Sequence, residues 1–249
     1  MRDIKDYTEK YTDEPFEDTM VTIRKKTVIR ECQKYPHANI LEIGCGVKPF
    51  FLDFPDYENM VIVEPGEFFV NEAKRLVREK RLNDKRIYVV QGFLEDCVGD
   101  IKALGIEFDF IILSSVLHEL DNPQKMLKAI KEICSFNTVV HINVPNANSL
   151  HRILAKEAGL IKDVHEQSAQ MQKMQRRRTY DMKLLQKEIS DAGLTMKDSG
   201  SYFIKPFTHK QMQQCLDEGI IGQEILLGFE KIIKYMPEYG AGIYVNVTK

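Results

Sequence analysis

The sequence predicts an α/β fold, a mostly parallel sheet with helices on both faces, and three observations carry that prediction. Apolar runs of strand length alternate with helical periodicity from about residue 38 to residue 145, as expected of parallel strands joined by crossover helices. Those runs are apolar at consecutive positions, which suits strands buried on both sides. The first run ends in Gly44-Cys45-Gly46, a tight turn made by residues that reach positive φ at little cost.

Ile40-Leu41-Glu42-Ile43 reads as the first strand, with one acidic residue inside an apolar run. The glycines after it let a ligand approach the backbone and its N–H groups closely. A dinucleotide fingerprint would place a third glycine where Pro49 stands; a proline suits instead the first turn of a following helix, where no N–H is needed. Glu42 matches an ammonium group better than a polyphosphate, so a cationic, nucleoside-bearing ligand is favoured over a dinucleotide. Val61-Ile62-Val63 is the second strand and ends at Glu64-Pro65, where a carboxylate can accept hydrogen bonds from both ribose hydroxyls. Phe69, Ala73, Leu76 and Val77 then recur at helical spacing, leaving Lys74, Arg75 and Arg78 to water. Ile87-Tyr88-Val89-Val90 is the third strand and Phe108 to Leu113 the fourth. Asn122-Pro123 caps and opens the next helix, whose inner face is Met126, Leu127, Ile130, Ile133 and Cys134. The fifth strand, Thr138 to Val144, gives way to a polar helical stretch reaching about Arg178. A helix from about Tyr180 to Ala192, closed by Gly193, leads to late strands at Thr195 to Lys205 and Gly242 to Val247, with helices from Thr208 to about Tyr235 between them.

The 249 residues read as one domain. Its parts are an N-terminal helical cover (1–34), a ligand-binding core (35–145), a lid insertion (146–178) and a C-terminal part of the sheet with a helical insertion (179–249). A formal charge of −2 and a pI near 6.3 provide no broad field for nucleic acid or an anionic membrane. The five cysteines form no C-x-x-C pair and no zinc spacing, so they read as reduced thiols with no metal role. The N-terminus lacks an apolar signal core, and no run approaches the roughly 18 apolar residues of a spanning helix. A cytoplasmic monomer or homodimer acting on a small molecule is expected.

Leu41-Glu42-Ile43-Gly44-Cys45-Gly46 resembles motif I of the class I S-adenosylmethionine-dependent methyltransferases, hydrophobic-acidic-hydrophobic-Gly-x-Gly. Three further segments follow in the family's order: Glu64 after the second strand, Gln91-Gly92-Phe93-Leu94-Glu95-Asp96 after the third, and Ser114-Ser115-Val116-Leu117-His118-Glu119-Leu120 after the fourth, similar to motif IV. Taken singly, each is what an ordinary βα turn or solvated strand end shows; the ordered set is far more specific. The resemblance implies a seven-stranded sheet whose last strand inserts antiparallel beside the fifth, with helical lid insertions. It also implies S-adenosyl-L-methionine as cofactor and S-adenosyl-L-homocysteine as product.

By the same resemblance Glu42 lies near the amino group of the methionine part, Gly44, Cys45 and Gly46 against its backbone, and Glu64 and Pro65 at the ribose. Gly92, Phe93, Leu94 and Glu95 surround adenine, Ser114 and Ser115 close the site, and Tyr7 and Tyr11 cover the sulfonium, a cation attracted to aromatic faces. Phe93 departs from the family pattern, which has an aspartate directly after the glycine. Motif IV lacks Asn-Pro-Pro-Tyr, which argues against adenine-N6 or glutamine methylation. His118 and His151 are the candidate general bases, since imidazole titrates near neutrality. Asn146, Arg152, Arg177, Tyr202 and Lys205 are the candidate substrate contacts; Arg176-Arg177-Arg178 and Lys205 with His209 and Lys210 are basic clusters suited to a phosphate. The segments from Asn143 to Arg152 and from Phe203 to Thr208 are similar to those of bacterial methyltransferases of surface-carbohydrate pathways, implying a sugar nucleotide or a phosphorylated or phosphoramidate capsule precursor. Two other readings compete: a noncatalytic S-adenosylmethionine-binding partner protein, and an NAD-dependent oxidoreductase, which Pro49 and Glu42 oppose.

Overall fold

The computed structural model describes residues 15–80, 82, 86–167, 171 and 176–249. Helix α1 (Glu17–Cys32) leads into β1 (Asn39–Ile43), β2 (Asn59–Glu64), α2 (Glu67–Glu79), β3 (Arg86–Gln91), α3 (Leu94–Ala103) and β4 (Phe110–Ser114). Then come α4 (Pro123–Ile133), β5 (Val139–Pro145), α5 (Leu150–Glu157), α6 (Met182–Asp191), β6 (Thr195–Tyr202), α7 (His209–Asp217), α8 (Gln223–Lys231) and β7 (Gly242–Thr248). The sheet runs β3-β2-β1-β4-β5-β7-β6. The first five strands pair in parallel, and β7 lies antiparallel between β5 and β6. Strand order reverses between β1 and β4, which opens a crevice at their carboxyl ends.

Successive strand residues face opposite sides of the sheet, and this chain makes both sides apolar. Leu41, Ile43, Val61, Val63, Ile111 and Leu113 share one core with α3, α4 and α6. Ile40, Met60, Ile62, Phe110 and Ile112 share another with α1 and α2. A third, smaller cluster joins Phe16, Met20 and Ile23 to Tyr202, Phe203, Met212 and Leu226, so the start of α1 rests on the end of β6 and on α7 and α8.

The helix expected after the glycine turn is absent; one 3₁₀ turn, Phe50–Leu52, stands there instead. Pro49 lies in extended conformation as its cap. Phe50, Phe51, Phe54 and Tyr57 all sink into the second core; their spacing would suit one helical stripe, but Pro55 offers no N–H and clashes with the preceding turn, so only one turn forms. Strand β6 stops at Tyr202 rather than at Lys205, because Phe203 has a φ of 57° and leaves extended geometry. The caps follow the sequence: Asn122 accepts from Lys125 N, Asp181 accepts from Leu184 N, and Thr208 forms a capping box with Gln211. Ser149 sits at the cap position of α5, but its Oγ bonds His151 Nδ1 at 3.0 Å.

A buried polar chain crosses the sheet. Asn143 Nδ2 donates to Ser114 Oγ at 2.9 Å and faces His141 Nε2 at 3.1 Å; His141 Nδ1 meets Asn246 Oδ1 at 2.8 Å. Asn246 Nδ2 then donates to Glu31 Oε2 at 2.9 Å. Burial pushes the His141 pKa down to about 4, so its ring is neutral, accepting at Nε2 and donating from Nδ1. Burial also raises the Glu31 pKa, but hydrogen bonds from Lys34, Arg30 and Asn246 outweigh it and keep the carboxylate ionised.

Among the described residues no helix is long and apolar enough to cross a membrane, and no group of three or more His, Cys, Asp or Glu is placed to hold a metal ion.

Candidate active site

A cavity of about 440 Å³ opens at the carboxyl ends of β1, β2, β3 and β4. The cofactor residues read from sequence, Glu42, Gly44, Cys45, Gly46, Glu64, Pro65, Gly92, Phe93, Leu94, Glu95, Ser114 and Ser115, all line it. Tyr7 and Tyr11 lie outside the described residues.

The glycine turn has φ of 77° at Gly44 and 55° at Gly46. Gly44 N donates to Val63 O at 2.9 Å, which ties the turn to β2. A Cβ on Gly44 would stand 2.7 Å from Val116 Cγ2. Ser115 holds φ 61° without being a glycine, fixed by its N–H to Asn143 O at 3.0 Å, and so the β4 exit crowds the glycine turn.

Among the described residues, three buried carboxylates line this cavity, Glu119 beside His118 and, at the strand ends, Glu42 and Glu64. Pro49 has no N–H, so Phe50 supplies the first free donor of the 3₁₀ turn, and Glu42 accepts it at 2.9 and 3.1 Å. Burial drives the Glu42 pKa up to about 7, the Glu64 charge adds to the rise, and the Phe50 N–H and the Lys25 ammonium oppose it. Glu64 accepts from Gly66 N at 2.8 Å through Oε1. Cys45 is buried beside them; burial and the charges of Glu42 and Glu64 push its thiol far up, so it packs and does not react.

The candidate acceptor-side residues are distributed differently. His118, His151, Asn146, Arg152, Arg177, Tyr202 and Lys205 are all absent from the cavity wall. The His118 ring is 1% exposed; its carbonyl accepts from Arg177 N and Arg178 N, and its Nε2 lies 3.9 Å from Glu119 Oε1. Asn146 Nδ2 donates to the carbonyls of Glu238 and Gly240 at 2.9 Å, a structural tie. Arg152 is held by the carbonyls of Val164 and Glu166, and Arg177 is paired with Asp121 at 3.0 Å. Tyr202 belongs to the third core cluster. Lys205 and His151 lie in a basic cluster behind the wall.

Sequence reasoning missed the face of α1 made by Glu17, Val21, Arg24 and Val28, which closes the cavity together with Arg176 and Glu119. The signal was present, because those four positions follow helical spacing. Mixed polarity along that stripe is what a cavity wall shows and an apolar core stripe does not.

The sheet order and the cavity at its reversal define a Rossmann-like α/β protein with a ligand cleft at the switch point. The profile of the Methyltransferase domain family matches residues 21–197. The chain belongs to that family and is an S-adenosylmethionine-dependent methyltransferase. No curated protein sequence matches it. Solved structures share its fold at low identity. The plantazolicin methyltransferase BamL, solved with a triazolic desmethylPZN analog and SAH, is 14% identical with a TM-score of 0.58, over 94% of this chain and 87% of that one. The N-methyltransferase NodS from Bradyrhizobium japonicum WM9, solved with S-adenosyl-L-homocysteine, is 12% identical with a TM-score of 0.54, over 95% and 88%. The [4+2]-cyclase SpnF is 13% identical with a TM-score of 0.56, over 90% and 79%. At such identities the likeness establishes the fold, and the cyclase shows that this fold also hosts other chemistry.

Proposed function

We propose that this enzyme transfers a methyl group to an oxygen or nitrogen of a small polar metabolite, a sugar nucleotide or a phosphorylated or phosphoramidate capsule precursor. The observation that carries this reading is the pairing, in one cavity, of a positive-φ glycine turn with the buried carboxylates Glu42 and Glu64. That donor set fits S-adenosylmethionine, which brings an electrophilic methyl on a sulfonium with a neutral leaving group. Glu64 receives the ribose hydroxyls, Glu42 the ammonium, and the turn from Gly44 to Gly46 lies against the methionine part. Phe93, Leu94 and Glu95, at the N-terminus of α3, flank the adenine.

The chain's remaining tasks are alignment and exclusion of water. An anionic acceptor oxygen needs positioning more than a base. Where a proton must leave, Glu119 is the buried wall carboxylate that the cofactor does not use, and His118 Nε2 stands 3.9 Å from its Oε1. A screen with labelled methyl donor across sugar nucleotides, phosphorylated metabolites and small amines tests the assignment. Transfer to a phosphorylated or sugar-nucleotide acceptor is the expected result, and transfer confined to uncharged acceptors refutes the substrate class.

The Glu42 assignment makes a separate prediction. In the ligand-free protein its raised pKa means that the folded state holds a proton the unfolded state has lost, so stability falls as pH rises from the ordinary carboxylate range to about 7. A ligand ammonium pairs with the ionised form, so binding is linked to proton loss. Affinity for S-adenosylhomocysteine should fall roughly tenfold or more from about pH 7.5 to about pH 5.5. Calorimetry across that range reads it, with Glu42→Gln flattening the profile. A flat wild-type profile removes Glu42 from contact with the ammonium.

A further inference from the structure

Among the described residues, buried charged side chains such as those of Glu188 and Glu31 come with partners. Arg178 meets Glu188 at 2.8 Å, and Glu31 is held by Arg30 at 3.0 Å and Lys34 at 2.7 Å. Lys205 differs. It is 3% exposed, yet its ammonium has no hydrogen bond or ion pair among the described residues. A buried cation without a partner is costly, and folds retain one where an anion arrives to meet it.

Two neighbouring groups are also without partners among the described residues. Arg176 lines the cavity, and its Nε is buried with no hydrogen-bond partner. His209 occupies the first position of α7, a nine-residue helix whose N-terminal N–H groups and dipole favour negative charge, and its ring nitrogens have no partner among the described residues. Arg152 contributes a further positive charge from α5. The carboxylate felt by Lys205 is Glu17, which is engaged with Arg24 at 3.2 Å. The cluster therefore has more positive than negative charge. It adjoins the cavity, because Glu17, Arg24 and Arg176 belong to the wall.

We propose that Lys205, Arg176 and His209 form an anion subsite beside the cofactor cavity, and that it takes the phosphoryl group of the methyl acceptor. This rests on the reading of the cavity as a methyl-donor site and adds where the acceptor is anchored. The guanidinium of Arg176 offers a planar fork to two phosphoryl oxygens, while Lys205 supplies a point charge. Burial pushes the Lys205 pKa down to about 7, joined by the charges of Arg176 and Arg152, so the free subsite holds only part of its charge until an anion restores the rest. Arg177, ion-paired with Asp121 and half exposed, is left out of the subsite.

The test uses the full chain loaded with S-adenosylhomocysteine and titrated with inorganic phosphate and pyrophosphate, read by calorimetry and thermal shift. Saturable binding to the wild type is expected, weakened at least tenfold in Lys205→Met and in Arg176→Gln. Lys205→Met should keep its S-adenosylhomocysteine affinity and unfold at no lower temperature, because it replaces an unpaired buried charge with an apolar chain. Arg176→Gln serves should Lys205→Met fail to fold. A wild type that binds S-adenosylhomocysteine but neither anion, or variants that bind them equally well, overturns the subsite. A wild type that does not bind S-adenosylhomocysteine overturns the methyl-donor reading instead.

Discussion

Replacing Glu64 with alanine is expected to weaken S-adenosylhomocysteine binding at least a hundredfold while the protein still unfolds cooperatively. Hydrogen bonds to a charged group contribute about 1.5–3 kcal/mol each. Two ribose hydroxyls on one carboxylate therefore amount to about 3–6 kcal/mol, and each factor of ten in affinity corresponds to about 1.4 kcal/mol. Within the fold, the loss is smaller. Glu64 accepts from Gly66 N at 2.8 Å, and its charge already disfavours the ionised form of its neighbour Glu42. Removing it gives back part of what that bond contributed. Glu64→Gln, which keeps one acceptor, should fall between the wild type and the alanine variant. Calorimetry with a parallel thermal melt separates binding from folding; wild-type affinity in Glu64→Ala would place the ribose elsewhere.

The second large effect is expected at Gly44. A Cβ there meets Val116 Cγ2 at 2.7 Å, and the backbone sits at φ 77°. The left-handed conformation costs a non-glycine residue about 1–2 kcal/mol, and overpacking typically adds about 1–3 kcal/mol. Gly44→Ala should thus destabilise by about 2–5 kcal/mol and displace the β4 exit that carries Ser115. The two contributions can be separated. Truncating Val116 to alanine removes the colliding methyl but leaves the dihedral cost, so the pair should couple by about 1 kcal/mol or more in a double-mutant cycle. Strict additivity would mean that the turn has moved away from Val116, and that the collision plays no part.

Much of this architecture is legible in the sequence because one physical signal dominates each element. Runs such as Val61-Ile62-Val63 have no polar face, and only a strand covered on both sides tolerates that. Gly44 and Gly46 reach positive φ as residue type predicts, and Asn122, Asp181 and Thr208 cap where their side chains can reach a free N–H. The connection after β1 reads falsely as a helix, since Pro49 and the spacing of Phe50, Phe51, Phe54 and Tyr57 advertise one while Pro55 stops it after a single turn. The acceptor side was harder for a different reason. Cofactor positions sit at strand ends and inherit their direction from the sheet, whereas Arg177 and Arg176 are adjacent in sequence and differ only in what meets them in space. One finds Asp121 at the surface; the other lines the cavity, its Nε buried and without a hydrogen-bond partner. Spacing alone carries no information about that choice.

The polar chain from Ser114 through Asn143, His141 and Asn246 to Glu31 has a kinetic consequence. Its links at His141–Asn246 and Asn246–Glu31 join residues separated by 105 and 215 positions. Contacts so distant are slow to form, because loop closure must precede any gain. Ser114 is therefore oriented only once β7 has slotted between its two neighbours and α1 has docked against it. During refolding, recovery of ligand binding should lag behind the return of helical signal, and the lag measures the insertion of that last strand.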